Sequence, residues 1–502
     1  MRIRLIGLVA VCALVAACGG DSDSSDEGSS SSEGDTEVVI AVPSEPTTLD
    51  PQISDSQLDR VVTSQVYETL LERNDEGELE PLLAAEMPES VADDTWEFKL
   101  RPDITFHNGE PFNAASVAYS VKRIIDPALE SLQISFYETI VDAEAVDDLT
   151  VRITTDGRDP LLPTRMYWMT MVPENAGDDP DFGQTANGTG PYRLSEWNHG
   201  QSVVLDRNAE YWGDEPDVDR VVVRPIPEAG TQIAALQSGE ADLVLNISPE
   251  AMEEVPVAKS QKGSETYMLR LESGDGPLSD LRVRQAIDLA IDREALAENL
   301  FNGLASPAPC QITVPQTFGF NPDLEPAAYD PDQARQLLEE AGAVGTTLSM
   351  NSLSGRFVRD RETAEAVVQY LQDAGFEVDL QFPDIPTFVA SNYTKELHPD
   401  LLLVSSSNEL YDADRQMNYL VSSSGNSGFS NAEVDELAES ARSELDVDKR
   451  AEEYQRIAEI VCEESGNVYL LNPDDLYGLS DRLDWEPRAD GLILAQSMSL
   501  KG

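Results

Sequence analysis

The sequence predicts an α/β fold divided into two lobes, and three observations carry that expectation. Helix and strand patterns alternate along the second half of the chain, which implies helices layered on a sheet. About 465 of the 502 residues follow position 36, too many for one small core and enough for two. No fixed-period repeat runs through the chain, which argues against a solenoid or propeller.

The first elements read as processing signals. Arg2 and Arg4 precede an apolar run too short to cross a bilayer as a permanent helix, so residues 1–17 are expected to be an export signal. Its end, Leu14-Val15-Ala16-Ala17-Cys18, has the form of a bacterial lipobox, with Cys18 as the lipidated residue; an ordinary signal with a chance cysteine is the alternative. No twin-arginine pair occurs, which favours the general secretory route. After Cys18, residues 19–36 are Ser, Gly, Asp, Glu and Thr alone, too polar to fold, and form a tether of roughly 25 Å as a flexible coil.

Past the signal no second apolar stretch of spanning length occurs, so the body is expected to be soluble. Its charge is extreme: 34 basic against 94 acidic residues, a net −60. That excludes nucleic acid as a partner and suggests a saline habitat in which salt screens the self-repulsion. Cys310 and Cys462 remain in the exported part, either as a disulfide or as two buried free thiols.

In the body, Glu37–Val42 is a β-branched run closed by Pro43, and residues 64–73 carry Val66, Leu70 and Leu71 at helical spacing. Residues 95–100 and 149–154 alternate as half-buried strands do. A helix is expected over 287–300. Another begins at Asp330-Pro331, a capping acid before a proline at the first helical position, and ends at Gly342. A helix over 362–374 stops at Gly375 and leads into a strand over 376–382; 401–404 is a short buried strand, and 450–462 a further helix.

The search for catalytic chemistry returns almost nothing. His107, His199 and His398 are not spaced as a helical metal pair, and no nucleophile elbow, phosphate loop or dinucleotide fingerprint occurs. Neither cofactor nor metal is expected, and an enzyme is the minority reading.

A set of spaced segments carries more. They are PSEPTTLDP (43–51), VYETLLERNDEGELEPLLAAEMPES (66–90), ITFHNGEPFNAASVAYSVKRIIDP (104–127) and GTGPYRLSEWNHGQSVVLDRNAEYWGDEPDVDRVVVRPI (188–226). AALQSGEADL (234–243), LRVRQAIDLAIDREAL (281–296) and YDPDQARQLLEEAG (329–342) follow. Most of these residues are expected to hold the fold: Asn108-Gly109 as a tight turn, Gly188-Thr-Gly-Pro191 as a turn needing glycine's backbone freedom, and Tyr211-Trp212-Gly213 as an aromatic plug.

In this order the segments resemble the family 5 extracellular solute-binding proteins of ABC transporters. The resemblance implies a two-lobe periplasmic-binding-protein-like clamshell of the class II type, with an extra subdomain in the N-terminal lobe. Residues 37–270 plus 479–502 would form lobe I, with the inserted subdomain at about 55–185, and 271–478 lobe II. Crossover strands near 267–272 and 475–483 would be the hinge. It implies a monomer on the extracytoplasmic face of a bacterial membrane, held by its lipid, that hands a small solute, expected to be a peptide, to permease and ATPase subunits.

The resemblance also implies ligand contacts. In peptide-binding relatives a second-lobe acid pairs with the peptide amine, and the matching stretch places Glu409 there, with Tyr411 and Asp412 shaping that end of the pocket. Two departures stand out: Ala413 replaces a turn proline, and Ser406 an aromatic wall. One of Arg356, Arg359 and Arg361 would face a carboxylate, with Asn426 as a further contact. The alternatives are a surface acid at Glu409, helix-surface salt bridges for the arginines, an oligosaccharide, metal chelate or opine as ligand, and a surface-anchored hydrolase. Anchoring yields the first test. Cys18→Ser is expected to shift the protein from the membrane to the soluble fraction, and retention in the membrane would remove the lipobox reading.

Overall fold

The computed structural model describes residues 36–501 except 75, 76, 178, 180 and 275. The expected signal, Cys18 and tether positions 19–35 lie outside the described residues. Among those described, no helix is long and apolar enough to cross a membrane.

A mixed sheet of twelve strands runs through the molecule. Its pivot is the 13-residue strand Asn467–Leu479. The first half of that strand pairs antiparallel with Thr266–Leu271 and Ala305–Pro307, and beyond Thr266–Leu271 the sheet continues through Leu401–Ser406, Thr347–Asn351 and Glu377–Gln381. Its second half pairs with Val257–Lys262 and Leu243–Leu245, and on that side the sheet continues through Glu37–Val42, Arg220–Pro225, Ser202–Arg207 and Tyr192–Asn198. One strand is thus shared by two assemblies with separate cores.

Strand Glu37–Val42 shows why its sequence is a continuous apolar run. It is parallel to both neighbours and covered on both faces, so Val38 and Ile40 enter one core cluster while Val39 and Ala41 enter another. Asp242, fully buried, clips this region together. Its carboxylate accepts from Val39 N (2.9 Å), Ser480 Oγ (2.8 Å) and Arg482 Nε (2.6 Å). A second sheet, Glu89–Ala92, Thr95–Lys99, Thr150–Thr155 and Ile140–Asp147, packs on helix Ala114–Ile125 around a third core that also takes in Leu410.

Several elements fall where the patterns put them. Helix Pro331–Ala341 is capped by Asp330, which accepts from Gln333 N, and stops at Gly342 with φ 66°; Asp360–Ala374 stops at Gly375. Two helices differ. The apolar spacing of 64–73 predicts a helix there, but the helix is Gln57–Val66, started by Ser56, and Leu71–Arg73 is a strand. The reason is a distant one: Gly190 N donates to the Val66 carbonyl at 2.9 Å. A Cβ on Gly188 would lie 1.9 Å from that oxygen, so these glycines are needed for close approach. Both lie outside the positive-φ set, which corrects the expectation of special backbone freedom. Residues 287–300 belong to two helices, Leu281–Ala290 and Arg293–Phe301, because Asp292 caps the second by accepting from Ala295 N.

Cys310 and Cys462 form a disulfide with Cα atoms 5.5 Å apart, tying the loop after Ala305–Pro307 to helix Val447–Glu463 across 152 positions of sequence. Chain entropy sets the limit of its contribution at about 4–5 kcal/mol, with less realised in practice. The double variant Cys310→Ala/Cys462→Ala is therefore expected to unfold at lower urea concentration; an unchanged midpoint would show that the bond adds no stability.

Candidate functional site

The loop that follows strand Leu401–Ser406 brings several charged groups together. Asp412 anchors it: both carboxylate oxygens accept from Arg450, each at 2.7 Å, and one also caps the turn Ala413–Tyr419 through Asp414 N. Both partners are about 5% exposed, so removing either would leave a buried uncompensated charge. Asp412 is thus committed to positioning the loop. Tyr411, at φ 54°, donates its hydroxyl to the Ala489 carbonyl at 2.7 Å.

Glu409 is held more loosely. Ser407 Oγ donates to Oε1 at 2.5 Å, while Oε2 lies 3.7 Å from Arg415 Nε, and neither atom has a hydrogen-bond partner among the described residues. That distance is Coulombic contact without a hydrogen bond. Opposite stands a second pair, Asp55 and Arg60, at 3.2 Å. Burial raises the Asp55 carboxyl above its ordinary range; Arg60 opposes the rise and Glu409 adds to it. Aromatic faces hold both guanidiniums in place: Arg60 lies 4.1 Å from the Trp168 ring centroid and Arg415 4.7 Å from that of Phe136.

Two further acids join this group. Glu265 is raised first by burial, with Glu409 adding to the rise and Arg356 opposing it. Asp475, on the shared strand, is pushed up to about 7, first by burial and then by Glu265 and Asp474. Glu265 and Asp475, each raised by burial and each facing another acid, favour protons or a cation, and the charge of Glu409 adds to that at Glu265.

The remaining sequence candidates scatter. Of the three arginines, Arg356 faces Glu265. Arg359 pairs with Glu250 and, at 3.1 Å, with Glu362. Arg361 lies over the Phe382 ring at 3.9 Å and bonds Ser354 and Glu365. Asn426 is buried in a loop whose carbonyl accepts from Arg270, and its side-chain nitrogen has no partner among the described residues.

Beside the charged group lies a half-enclosed cavity of about 800 Å³, counted with the solvent at its mouth and lined in part by Arg60, Trp168 and Glu68. Glu68 accepts from Tyr211 Oη at 2.7 Å and Trp212 Nε1 at 2.9 Å, the aromatic plug read in the sequence. Burial pushes its carboxyl up to about 7 against those donors.

The model of the bacterial extracellular solute-binding proteins, family 5, matches residues 78–428. This chain belongs to that family. The family 5 chain is 31% identical over 367 residues to the glutathione-binding protein GsiB of Escherichia coli K12, covering 69% of this chain and 68% of that one. Its fold is that of HbpA2 from Haemophilus parasuis, with a TM-score of 0.83 at 23% identity over 93% of this chain and 100% of the other. DppA from Helicobacter pylori, solved with the peptide STSA, gives 0.75 at 22% identity over 93% and 98%. The architecture is therefore the two-lobe α/β clamshell of the periplasmic binding proteins.

In this family 5 chain the sequence reading missed Asp55, Arg60, Glu265, Arg415 and Asp475. Their one visible signal was the basic character of Arg60 and Arg415 in a chain poor in arginine, and it drew attention to the cluster 356–361 instead. Glu68 supplies a test. Its folded form holds a proton more tightly than the unfolded chain, whose value is near 4.5. Its contribution is full below about pH 4.5, is lost as pH rises towards about 7, and amounts to roughly 3 kcal/mol. Glu68→Gln should therefore gain stability relative to wild type between pH 5 and pH 8 in urea melts; an equal difference at both pH values would refute the shift.

Proposed function

We propose that this protein is the lipid-anchored, extracytoplasmic solute-binding component of an ABC importer, taking a peptide or a peptide-like amine between its lobes. The observation that carries the reading is the desolvated acid group Glu409, Glu265 and Asp475, set opposite Asp55 and Arg60, with Glu409 Oε2 unpartnered. A bound ammonium would supply the cation this group lacks, and Arg415, Arg60 or Arg356 would receive a carboxylate. The similarity to the glutathione-binding protein GsiB and the peptide bound to DppA support peptide-like solutes; NikA from Brucella suis, solved with Fe(III)-EDTA at a TM-score of 0.82, is a chelate-bound structure of the same fold.

The lobes would be 37–270 plus 479–502 and 271–478, hinged where Asn467–Leu479 passes from one to the other. Contacts across them favour the closed form: Arg359 to Glu250, Arg73 Nη2 to the Leu410 carbonyl at 2.8 Å, and Tyr411 Oη to the Ala489 carbonyl. No bond in the solute changes in this mechanism, because preferential binding to the closed state drives closure and presents both lobes to the permease. The protein then acts as a monomer, without cofactor and without catalysis.

Native mass spectrometry of the purified protein identifies a retained solute, and calorimetry with that solute tests the site. Glu409→Gln is expected to lose about 2–5 kcal/mol of binding. Near pH 7 a cation beside Asp475 lowers its pKa and releases protons, so the heat should depend on the buffer's ionisation enthalpy at pH 7, and Asp475→Asn should lose most of that dependence. Equal affinities for wild type and variant would remove Glu409 from the site, and a solute without a cationic group would remove the peptide reading.

A further inference from the structure

The half-enclosed cavity holds polar groups that no other described residue satisfies. Tyr167, on helix Leu162–Trp168, is 3% exposed, lines the cavity, and its hydroxyl has no hydrogen-bond partner among the described residues. Beside it, Arg73 has its guanidinium carbon 4.9 Å from the Tyr167 ring centroid. Two of its nitrogens donate to the carbonyls of Gly77 and Leu410, while its Nε has no partner among the described residues. Buried donors left unpaired are rare, since each forfeits the hydrogen bond it made in water. Two adjacent ones in the wall of a cavity mark a place for an acceptor.

The other charges in the wall narrow what that acceptor can be. Glu72 and Asp490 disfavour a carboxylate, and Arg60, Arg73 and Arg488 disfavour an ammonium. Arg488 and Asp490 already pair with each other, at 2.7 Å. What remains is a neutral dipole, able to accept from Tyr167 and Arg73 and to donate to Glu72. An amide has that pattern, and Leu82, Pro191 and Leu492 in the same wall offer apolar surface to whatever carries it.

We propose that this cavity is a subsite for an uncharged amide-bearing part of the solute, its carbonyl oxygen received by Tyr167 Oη and Arg73 Nε and its N–H directed to Glu72. The proposal rests on reading the neighbouring charged cleft as the solute site. Arg60 belongs to both, lining the cavity while pairing with Asp55. A peptide whose amine is held at Glu409 would thus place an amide side chain, or its next peptide bond, in a pocket built for that dipole.

Benzamide tests the cavity without using the charged cleft, since it carries one amide, one apolar ring and no charge. Millimolar benzamide is expected to raise the melting temperature of the wild-type protein. Tyr167→Phe removes only the unpartnered hydroxyl, so it should melt as wild type does when alone and bind benzamide about 3- to 10-fold more weakly, the loss of one hydrogen bond. Equal binding by both proteins, no binding by either, or a lowered melting temperature of the unliganded variant would overturn the subsite. Tripeptides titrated in parallel separate the two readings: failure of the peptides with Tyr167-dependent binding of benzamide removes the peptide solute and keeps the cavity.

Discussion

The constraint on which the rest of the structure depends is that a single strand, Asn467–Leu479, must satisfy two sheets at once. Its first half completes the pairing of Thr266–Leu271, and its second half that of Leu243–Leu245 and Val257–Lys262. Every backbone donor and acceptor along it is needed, since unpaired groups at this depth are expensive. Asp475 sits where the strand passes between the two assemblies, which places a strongly desolvated acid where the two bodies meet.

Around that strand the chain uses its charges in two ways. Some are fully paired and immobile, such as Asp412 with Arg450 and Asp242 with Arg482, and these position loops and strands. Others are close but incompletely bonded, as Glu409 is to Arg415. Preorganised pairs supply rigidity, and unsatisfied groups supply affinity for something absent from the fold. The contrast lies within a few residues, Asp412 fully paired and Glu409 only partly bonded.

Much of the fold was legible in the sequence where one local signal sufficed. The run VVIAV announced a strand covered on both faces, and Asp330-Pro331 with Gly342 delimited a helix at both ends. The helix expected over 64–73 failed because Val66, Leu70 and Leu71 are buried for different reasons, and the carbonyl that would continue the helix is taken by Gly190 from a remote turn. The site was harder to read. Glu409 stood in a motif, but Asp55, Glu265 and Asp475 come from separate elements and are three among 94 acids, so only the folded arrangement distinguishes them.

The pair between Arg359 and Glu250 answers to salt in the opposite sense to the body around it. Both side chains are partly exposed, 28% and 50%, so dissolved ions reach and weaken their attraction. The same ions relieve the mutual repulsion of a chain carrying −60. Ionic strength therefore acts in opposite directions on the whole body and on its clasp. Brine would relieve the self-repulsion of the body while loosening this one contact.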